Sequence, residues 1–289
     1  MKKLFIDENI NILTNNEAEK ALEKENDKIF LSQNAGILKI SEERWVKAQN
    51  TEKRHWLTRG IKSLNDRNDY HNRQFEYYKI LKKKKFQSAL EIGCGPFTNT
   101  RIIGGVCQLN EISLLDPLIN EYLLHPFVAY DKKYLYLHNT GLVLKIVAKF
   151  TPYLFKTLLK VFHKRIRIWE IFNFPVEKLQ TKKIYDLIIM INVIEHCYDV
   201  REVFNKILKI SHKGTIFIFE DKLYDHEIVK KEVGNIYDAA HPLKVDRKFI
   251  YNFLDSNFRT LYKRTQSNNL DLKGCELFWD DLYYIGAKY

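Results

Sequence analysis

Two short segments of the chain carry residues whose types and spacing suit the binding of a nucleotide-like ligand. In the segment ALEIGCGPF, Glu91 precedes Gly93, Cys94 and Gly95, at the end of an apolar run. Glycines in this position let the backbone turn sharply and approach a ligand closely. Asp116 ends the next apolar run, 23 residues after Gly93, near the spacing at which α/β folds place a carboxylate on a ribose. These residues predict a nucleoside site where two strands end.

Two histidines are candidates for proton transfer or for orienting a second substrate. His196 follows the apolar run YDLIIMIN and stands beside Glu195, and His241 begins the segment HPLKVDRKF. Imidazole titrates near neutrality, so either side chain could take a proton from an oxygen nucleophile. Pro242 stiffens the loop at His241, which favours His241 as the base and His196 as the group that orients the acceptor. Two alternatives remain: His196 could have a purely structural role, and His241 could simply belong to the loop that enters the next helix.

The sequence predicts no metal site. Glu195 and His196 together are too few ligands for a stable site. The four cysteines, Cys94, Cys107, Cys197 and Cys275, show no C-x-x-C spacing and indicate neither a zinc knuckle nor a disulfide framework. Such a pattern favours a reducing compartment, the cytoplasm.

Alternating strands and helices are expected to position these residues. Strands are predicted at 88–92, 111–115, 185–192, 214–220, 259–265 and 282–289, and helices at 200–210 and 247–254. Strands that alternate with helices indicate a parallel sheet with helices on both faces. The last two strands follow one another directly and predict an antiparallel hairpin that closes the sheet.

In this order the segments resemble class I S-adenosylmethionine (SAM)-dependent methyltransferases. The resemblance rests on ALEIGCGPF, on Asp116, on the turn that contains Glu177, and on YDLIIMINVIEHCYD, and it covers roughly residues 86–220. A dinucleotide-binding dehydrogenase would need a glycine at Thr98. The resemblance implies a Rossmann-like α/β fold with a mostly parallel seven-stranded sheet, SAM as cofactor, and methyl transfer. The motif arrangement is similar to methyltransferases of bacterial surface-polysaccharide clusters.

The resemblance also implies which residues bind SAM. Glu91, Gly93, Cys94 and Gly95 would shape the pocket for the methionine part, and Asp116 would accept hydrogen bonds from the ribose. The remaining contacts would be made by Pro117 and Leu118 beside the adenine, Val176 at the adenine edge, and Asn192 beside the sulfonium. Many family members have an Asp before the position of Val176, where this chain has Pro175.

The resemblance assigns residues 86–289 to the SAM-binding domain and leaves two other regions. Residues 1–85 are expected to form an N-terminal helical cap, and about 121–170 a helical insertion. In the cap, Ser41 reads as a helix start, and Trp45, Gln49, Glu52 and Trp56 recur on one face of that helix. This face either packs on the core or covers the ligand cleft.

The insertion is strongly basic. The chain has a net charge of +11, and no acidic residue lies between Asp131 and Glu170. Lys156, Lys160 and Lys164 form a ridge on one helical face. Three interpretations remain: a lid that packs on the core, a lid that holds an anionic acceptor such as a sugar phosphate or nucleotide-activated sugar, and a helix over 141–169 at an anionic membrane. Nucleic-acid binding is disfavoured because the basic residues sit among aliphatics rather than stacking aromatics.

Together these observations predict a SAM-dependent methyltransferase that acts on oxygen in a small or glycan-type acceptor. The expected location is the cytoplasm, at the inner face of the membrane if the insertion contacts lipid. Neither a signal peptide nor a run of 18 apolar residues is seen in the sequence. The alternatives are an RNA or tRNA methyltransferase, and a non-catalytic SAM-binding module that acts on a membrane or a partner.

Overall fold

A mostly parallel β-sheet forms the centre of the computed structural model. The structure describes residues 4–6, 12–13, 36–61, 68–137, 157, 159–161, 163–225, 227, 236–272 and 275–289. Within these residues no helix is both long and apolar enough to cross a bilayer.

Strands and helices are numbered in chain order. The strands are β1 (Leu4–Ile6), β2 (Ile12–Leu13), β3 (Lys85–Ile92), β4 (Gln108–Leu115), β5 (Tyr134–Tyr136), β6 (Arg165–Phe172), β7 (Tyr185–Ile191), β8 (Ser211–Tyr224), β9 (Ile236–Asp238), β10 (Phe258–Leu272) and β11 (Cys275–Lys288). The α-helices are α1 (Glu42–His55), α2 (Asn68–Gln74), α3 (Thr100–Val106), α4 (Ile119–Leu123), α5 (Val200–Lys209) and α6 (Arg247–Asn257). A π-helical turn, Trp56–Gly60, continues α1, and 3-10 turns form at Glu76–Leu81, Val176–Lys178 and Ile194–His196.

The main sheet has eight strands in the order β10-β11-β8-β7-β3-β4-β6-β5. The five strands from β8 to β6 run parallel to one another. The hairpin of β10 and β11 joins β8 antiparallel. This confirms the predicted α/β fold and its C-terminal hairpin. Because the central strands are parallel, their carboxyl ends meet at one edge, where such folds bind ligands.

Alternate residues of the central strands pack on opposite faces of the sheet. On one face Ala89 and Leu187 pack in a cluster with Ile103 of α3. The neighbouring residues Leu90 and Ile188 belong to a second cluster that includes residues of α5 and α6. Burial on both faces explains why these strands read as continuous apolar runs in the sequence.

The insertion contains strands where the sequence predicted helix. β6 pairs parallel with β4, and β5 adds an antiparallel edge strand, so the sheet has eight strands and not seven. In β6 the buried Ile166 and Ile168 alternate with the exposed Arg165 and Arg167, a period of two that is typical of a strand. The helical prediction was therefore wrong for the end of the insertion. Residues 138–156, which include Lys156 of the predicted lysine ridge, lie outside the described residues.

The N-terminal region places α1 against the carboxyl ends of the strands. Ser41 caps α1, as predicted, and its hydroxyl accepts a hydrogen bond from the Arg44 amide at 3.1 Å. Trp45 Nε1 and Gln49 Nε2 both donate to the backbone oxygen of His196, at 2.9 and 3.3 Å. Nearer the N-terminus, where the sequence predicted early helices, the described residues form β1 and β2. β1 pairs antiparallel with β2 and parallel with β9.

Glu91, in β3, holds the turn that follows the glycines. Its carboxylate accepts hydrogen bonds from the amides of Asn99 and Thr100, at 2.7 and 3.0 Å, and from the hydroxyls of Thr98 and Thr100. Burial raises the pKa of Glu91, and these four donors oppose that rise. The buried carboxylate therefore joins β3 to the start of α3.

Glu91→Ala is expected to lower the free energy of unfolding by about 2–4 kcal/mol, because it leaves buried amide and hydroxyl donors without an acceptor. Urea denaturation followed by circular dichroism measures the change. The control is Glu111→Ala on β4, which removes a partly exposed ion pair with Lys183 and should cost less than about 1 kcal/mol. Equal losses in the two variants would contradict this role of Glu91.

Candidate active site

A cleft with a volume of about 330 Å³ opens at the carboxyl ends of β3, β4 and β7. The described residues that line it come from the N-terminal helices, the glycine turn, the loop after β4, the turn at Pro175, and the segments around His196 and His241. The face of α1 that the sequence singled out lies in this cleft, with Trp45, Gln49, Glu52 and Trp56 on its wall. This face therefore lines the cleft, and Trp56 also packs against the hydrophobic core, so both interpretations apply to it.

Gly93 and Gly95 form the turn at the base of the cleft. Both have left-handed backbone angles, with φ of +66° and +54°, and the Gly93 amide donates to the backbone oxygen of Leu115 at 2.7 Å. A Cβ atom on Gly93 would lie 2.3 Å from the side chain of Val193, whereas a Cβ on Gly95 would meet nothing within 4 Å. Gly93 thus serves close packing, and Gly95 leaves space in the cleft beside the backbone.

Asp116 is held rigidly beside this turn. One carboxylate oxygen accepts from the Gly95 amide at 2.9 Å, and the other accepts from the Leu118 amide at 2.8 Å. Each oxygen of a carboxylate has two acceptor positions, so both oxygens can accept a further hydrogen bond from a ligand. Burial raises the pKa of Asp116 to about 6, although the two amides oppose the rise.

The remaining residues predicted to bind a cofactor are gathered in the same cleft. Cys94, Pro117, Leu118, Val176 and Asn192 all line it. Asn192 also has a left-handed backbone, with φ of +55°. Burial raises the pKa of the Cys94 thiol well above its ordinary value, so this cysteine contributes shape rather than a thiolate.

Glu91 is the exception among the predicted residues. It is not among the described residues that line the cleft. Its carboxylate shapes the cleft from behind, through the turn that it holds.

His196 and His241 lie side by side in the cleft, with ring centroids 4.6 Å apart. His196 Nδ1 lies 3.3 Å from the backbone oxygen of Ala240. Since a carbonyl oxygen can only accept, Nδ1 carries the proton in this contact, and Nε2 of the neutral ring keeps its lone pair. Burial lowers the pKa of His196, which favours this neutral form.

Glu195 anchors the histidine pair from the protein interior. Its buried carboxylate lies 3.2 Å from Lys222 Nζ and 3.9 Å from His241 Nε2. Burial alone would raise the pKa of Glu195, but Lys222 and the two histidines outweigh burial and lower it. Glu195 therefore stays ionised and fixes one side of the cleft wall.

Two further polar side chains, Glu52 of α1 and His71 of α2, lie in the cleft without having been predicted as site residues from the sequence. Glu52 of α1 accepts a hydrogen bond from Trp56 Nε1 at 3.0 Å, and one of its ligand atoms lies within 4.8 Å of both His196 and His241. His71 of α2 is buried in the cleft wall, with Nδ1 3.6 Å from a carboxylate oxygen of Glu220. The helical periodicity had placed Glu52 on the relevant face, but nothing in the sequence singled out His71.

The charge of the cleft differs from that of the chain as a whole. Among the described residues that line it are Glu52, Asp116, Glu177 and four histidines, but neither lysine nor arginine. The net positive charge of the protein is therefore not concentrated in the described cleft wall.

Gly93→Ala is expected to destabilise the protein more than Gly95→Ala does. Both variants incur the cost of a left-handed backbone, about 1–2 kcal/mol, but only the first adds a clash with Val193. Urea denaturation of the two variants measures this difference, which should be at least about 1 kcal/mol. A Gly95→Ala variant as unstable as Gly93→Ala would show that the open space at Gly95 is not real.

Several solved structures are similar to this chain at low sequence identity. The N-methyltransferase NodS from Bradyrhizobium japonicum WM9, solved with S-adenosylhomocysteine, shares 11% sequence identity over 75% of this chain and 85% of its own, with a TM-score of 0.40. The YcgJ protein from Bacillus subtilis shares 10% identity over 76% of this chain and 98% of its own, with a TM-score of 0.47. Phosphoethanolamine N-methyltransferase 2 from Haemonchus contortus, solved with SAM, shares 12% identity over 75% of this chain and 52% of its own, with a TM-score of 0.43.

No curated protein sequence matches the chain. The sequence model of a family described as "Methyltransferase domain" matches residues 55–266, which span most of the chain and contain the glycine turn, Asp116, His196 and His241. This match confirms the sequence-based prediction of a methyltransferase. The chain belongs to this family of methyltransferase domains.

Proposed function

We propose that the chain transfers a methyl group from SAM to an oxygen of a small or glycan-type acceptor. The observation that carries the proposal is the position of Asp116 and Gly95. A buried carboxylate with free acceptor positions stands beside open backbone, in the same cleft as two neighbouring histidines. We propose a glycan-type acceptor because the sequence motifs are also similar to those of methyltransferases of bacterial surface-polysaccharide clusters.

The cofactor of this reaction is SAM, and the residues of the cleft fit it. Asp116 can accept hydrogen bonds from both ribose hydroxyls on the sides of its oxygens that the amides leave free. The space above Gly95 can hold the methionine part. Leu118 and Val176 are buried apolar side chains on the cleft wall, as an adenine ring requires.

SAM supplies a methyl group on a positively charged sulfur, which is already a good leaving group. In the proposed reaction the acceptor oxygen attacks this methyl, the O–C bond forms as the C–S bond breaks, and the electron pair stays on sulfur. The proton of the acceptor hydroxyl leaves through the histidine pair. The chain's own task is to align the two reactants and to exclude water, and Trp45 and Trp56 on the cleft wall suit that task.

Of the two histidines, we assign the greater share in proton removal to His196. Its Nδ1 is engaged by Ala240, so the lone pair of its neutral ring is on Nε2. His241, with Nε2 near the ionised Glu195, then orients the acceptor. This assignment reverses the roles that the sequence favoured.

The acceptor is proposed to be neutral where it is methylated. The described cleft wall carries three carboxylates, of Glu52, Asp116 and Glu177, and neither lysine nor arginine, so it suits a hydroxyl group better than a phosphate. The anionic part of a sugar phosphate or nucleotide-linked sugar would instead reach the basic segment between Asp131 and Glu170. The carboxylates of the cleft wall also disfavour RNA, which is a polyanion, as the acceptor. A cytoplasmic location, with peripheral membrane contact through residues 141–169, completes the proposal.

The proposal is tested by incubating the protein with methyl-labelled SAM and a panel of acceptors. The panel contains hydroxyl-bearing sugars, sugar phosphates, nucleotide-linked sugars and transfer RNA. Label transfer to a sugar oxygen is expected. Transfer to RNA alone would overturn the proposal in favour of the RNA alternative, and SAM binding without transfer across an extended panel would favour a non-catalytic module.

Asp116→Asn is expected to weaken SAM binding by about tenfold to several hundredfold, because the charge-assisted hydrogen bonds to the ribose become weaker. Asn is preferred to Ala because its one carbonyl oxygen can still accept from either the Gly95 or the Leu118 amide, which Asp116 holds with its two oxygens. Isothermal titration with SAM measures the affinity, and thermal melting confirms that the variant folds. Unchanged affinity in a folded Asp116→Asn protein would break the ribose assignment.

Burial raises the pKa of Asp116 to about 6, so we expect the affinity for SAM to depend on pH. Only the ionised carboxylate offers all its acceptor positions, so SAM binding lowers this pKa. Affinity for SAM should therefore fall as the pH drops below about 6, by up to about tenfold per pH unit, and level off above. The Asp116→Asn variant should lack this step. An equally large fall in SAM affinity at low pH in the Asp116→Asn variant would show that another group causes it.

His196→Ala and His241→Ala are each expected to lower turnover, and the double variant by about 10²–10⁴, with SAM affinity within a few-fold of the wild type. The reason is that both imidazoles face the acceptor, whereas the ribose contacts lie at Asp116. Single-turnover methyl transfer measures the rate. Turnover in the double variant close to that of the wild type would mean that the acceptor is already deprotonated, as a carboxylate or phosphate is.

A further inference from the structure

Glu52, His196 and His241 bring three potential metal ligands to one place in the cleft. One ligand atom of each residue lies within 4.8 Å of the ligand atoms of the other two. The residues come from α1, from the turn after β7, and from the loop before α6, so the fold alone unites them. We propose that this Glu52–His196–His241 cluster binds a divalent first-row transition-metal ion. Two imidazoles with one carboxylate are a donor set that suits Zn²⁺ or Fe²⁺ rather than Mg²⁺ or Ca²⁺.

Each ligand of the cluster is supported from behind. The backbone oxygen of Ala240 lies 3.3 Å from His196 Nδ1, which leaves Nε2 for a metal. A carboxylate oxygen of Glu195 stands 3.9 Å from His241 Nε2, and Lys222 Nζ lies 3.2 Å from the same carboxylate. Trp56 Nε1 donates to one oxygen of Glu52 and leaves the other oxygen available. Ligating histidines in metal sites are oriented by carbonyl and carboxylate groups of this kind.

The distances and the charge of the cleft agree with a metal site. Ligands of one Zn²⁺ ion stand about 3–3.5 Å apart, so the cluster, whose ligand atoms lie within 4.8 Å of one another, needs to close by up to about 1.3–1.8 Å. The half-buried side chain of Glu52 has several rotatable bonds and can make this adjustment. Neither lysine nor arginine lines the described cleft wall, whereas Asp116 adds negative charge near Glu52. The local electrostatics therefore favour a cation.

Three protein ligands leave coordination positions open, as in catalytic rather than structural sites. With the ion bound, His196 Nε2 would be a ligand and not a base, and an acceptor hydroxyl in an open position would have its pKa lowered by the ion instead. This use of the ion rests on the proposed function, but binding of the ion does not.

The test is a titration of the full chain, freed of metal by chelator and gel filtration, with Co²⁺ as a coloured probe and then with Zn²⁺. One equivalent of Co²⁺ is expected to bind with a dissociation constant in the micromolar range or below. Bound Co²⁺ should show the visible absorption of nitrogen and oxygen ligation, and Zn²⁺ should displace it. Absence of saturable binding would overturn the proposal, as would tighter binding of Mg²⁺ than of Zn²⁺.

Variants locate the site. His241→Ala and Glu52→Gln should each weaken Co²⁺ binding by at least about tenfold, and Glu52→Gln preserves shape if His241→Ala fails to fold. His55→Ala is the matched control, because it removes an imidazole that lines the same cleft but lies outside the cluster. Equal binding in the wild type and in folded Glu52→Gln would overturn the proposal. A titration of the metal-free protein with SAM tests the proposed function separately, since the ribose contacts do not involve the cluster.

Discussion

Two buried carboxylates hold the backbone turn on which the cleft depends. Glu91 ties the start of α3 to β3 through four donors, and Asp116 ties Gly95 to the loop after β4. Burying a carboxylate is costly unless hydrogen bonds replace its water, and here backbone amides supply them. These hydrogen bonds thereby hold the turn open at Gly95.

The second half of the cleft depends on long-range docking rather than on a local motif. α1 reaches the sheet through Trp45 and Gln49, which bond to the backbone oxygen of His196. This contact sets the distance from Glu52 to the two histidines. The proposed reactive side of the cleft thus relies on three segments that are far apart in sequence, and displacement of α1 would separate them.

The sequence predicted the parts of the molecule that obey local rules. Continuous apolar runs marked the central strands because these strands are buried on both faces, and the glycine turn and Asp116 followed from backbone geometry. β6 was missed because its alternation of arginine and isoleucine was taken as the end of a basic helix. Glu52 was visible only as one member of a helical face, and His71 had no signal, since their positions arise from packing between distant segments. The indirect role of Glu91 also needed coordinates, because a motif does not show which way a carboxylate points.

The central claim is that the cleft between the glycine turn and α1 binds SAM. Isothermal titration of the full chain with SAM at neutral pH tests it most directly, with S-adenosylhomocysteine titrated in parallel. One molecule of each per chain is expected to bind, with a dissociation constant of about 1–100 µM. Absence of binding to a folded protein at several hundred micromolar of either ligand would contradict the account.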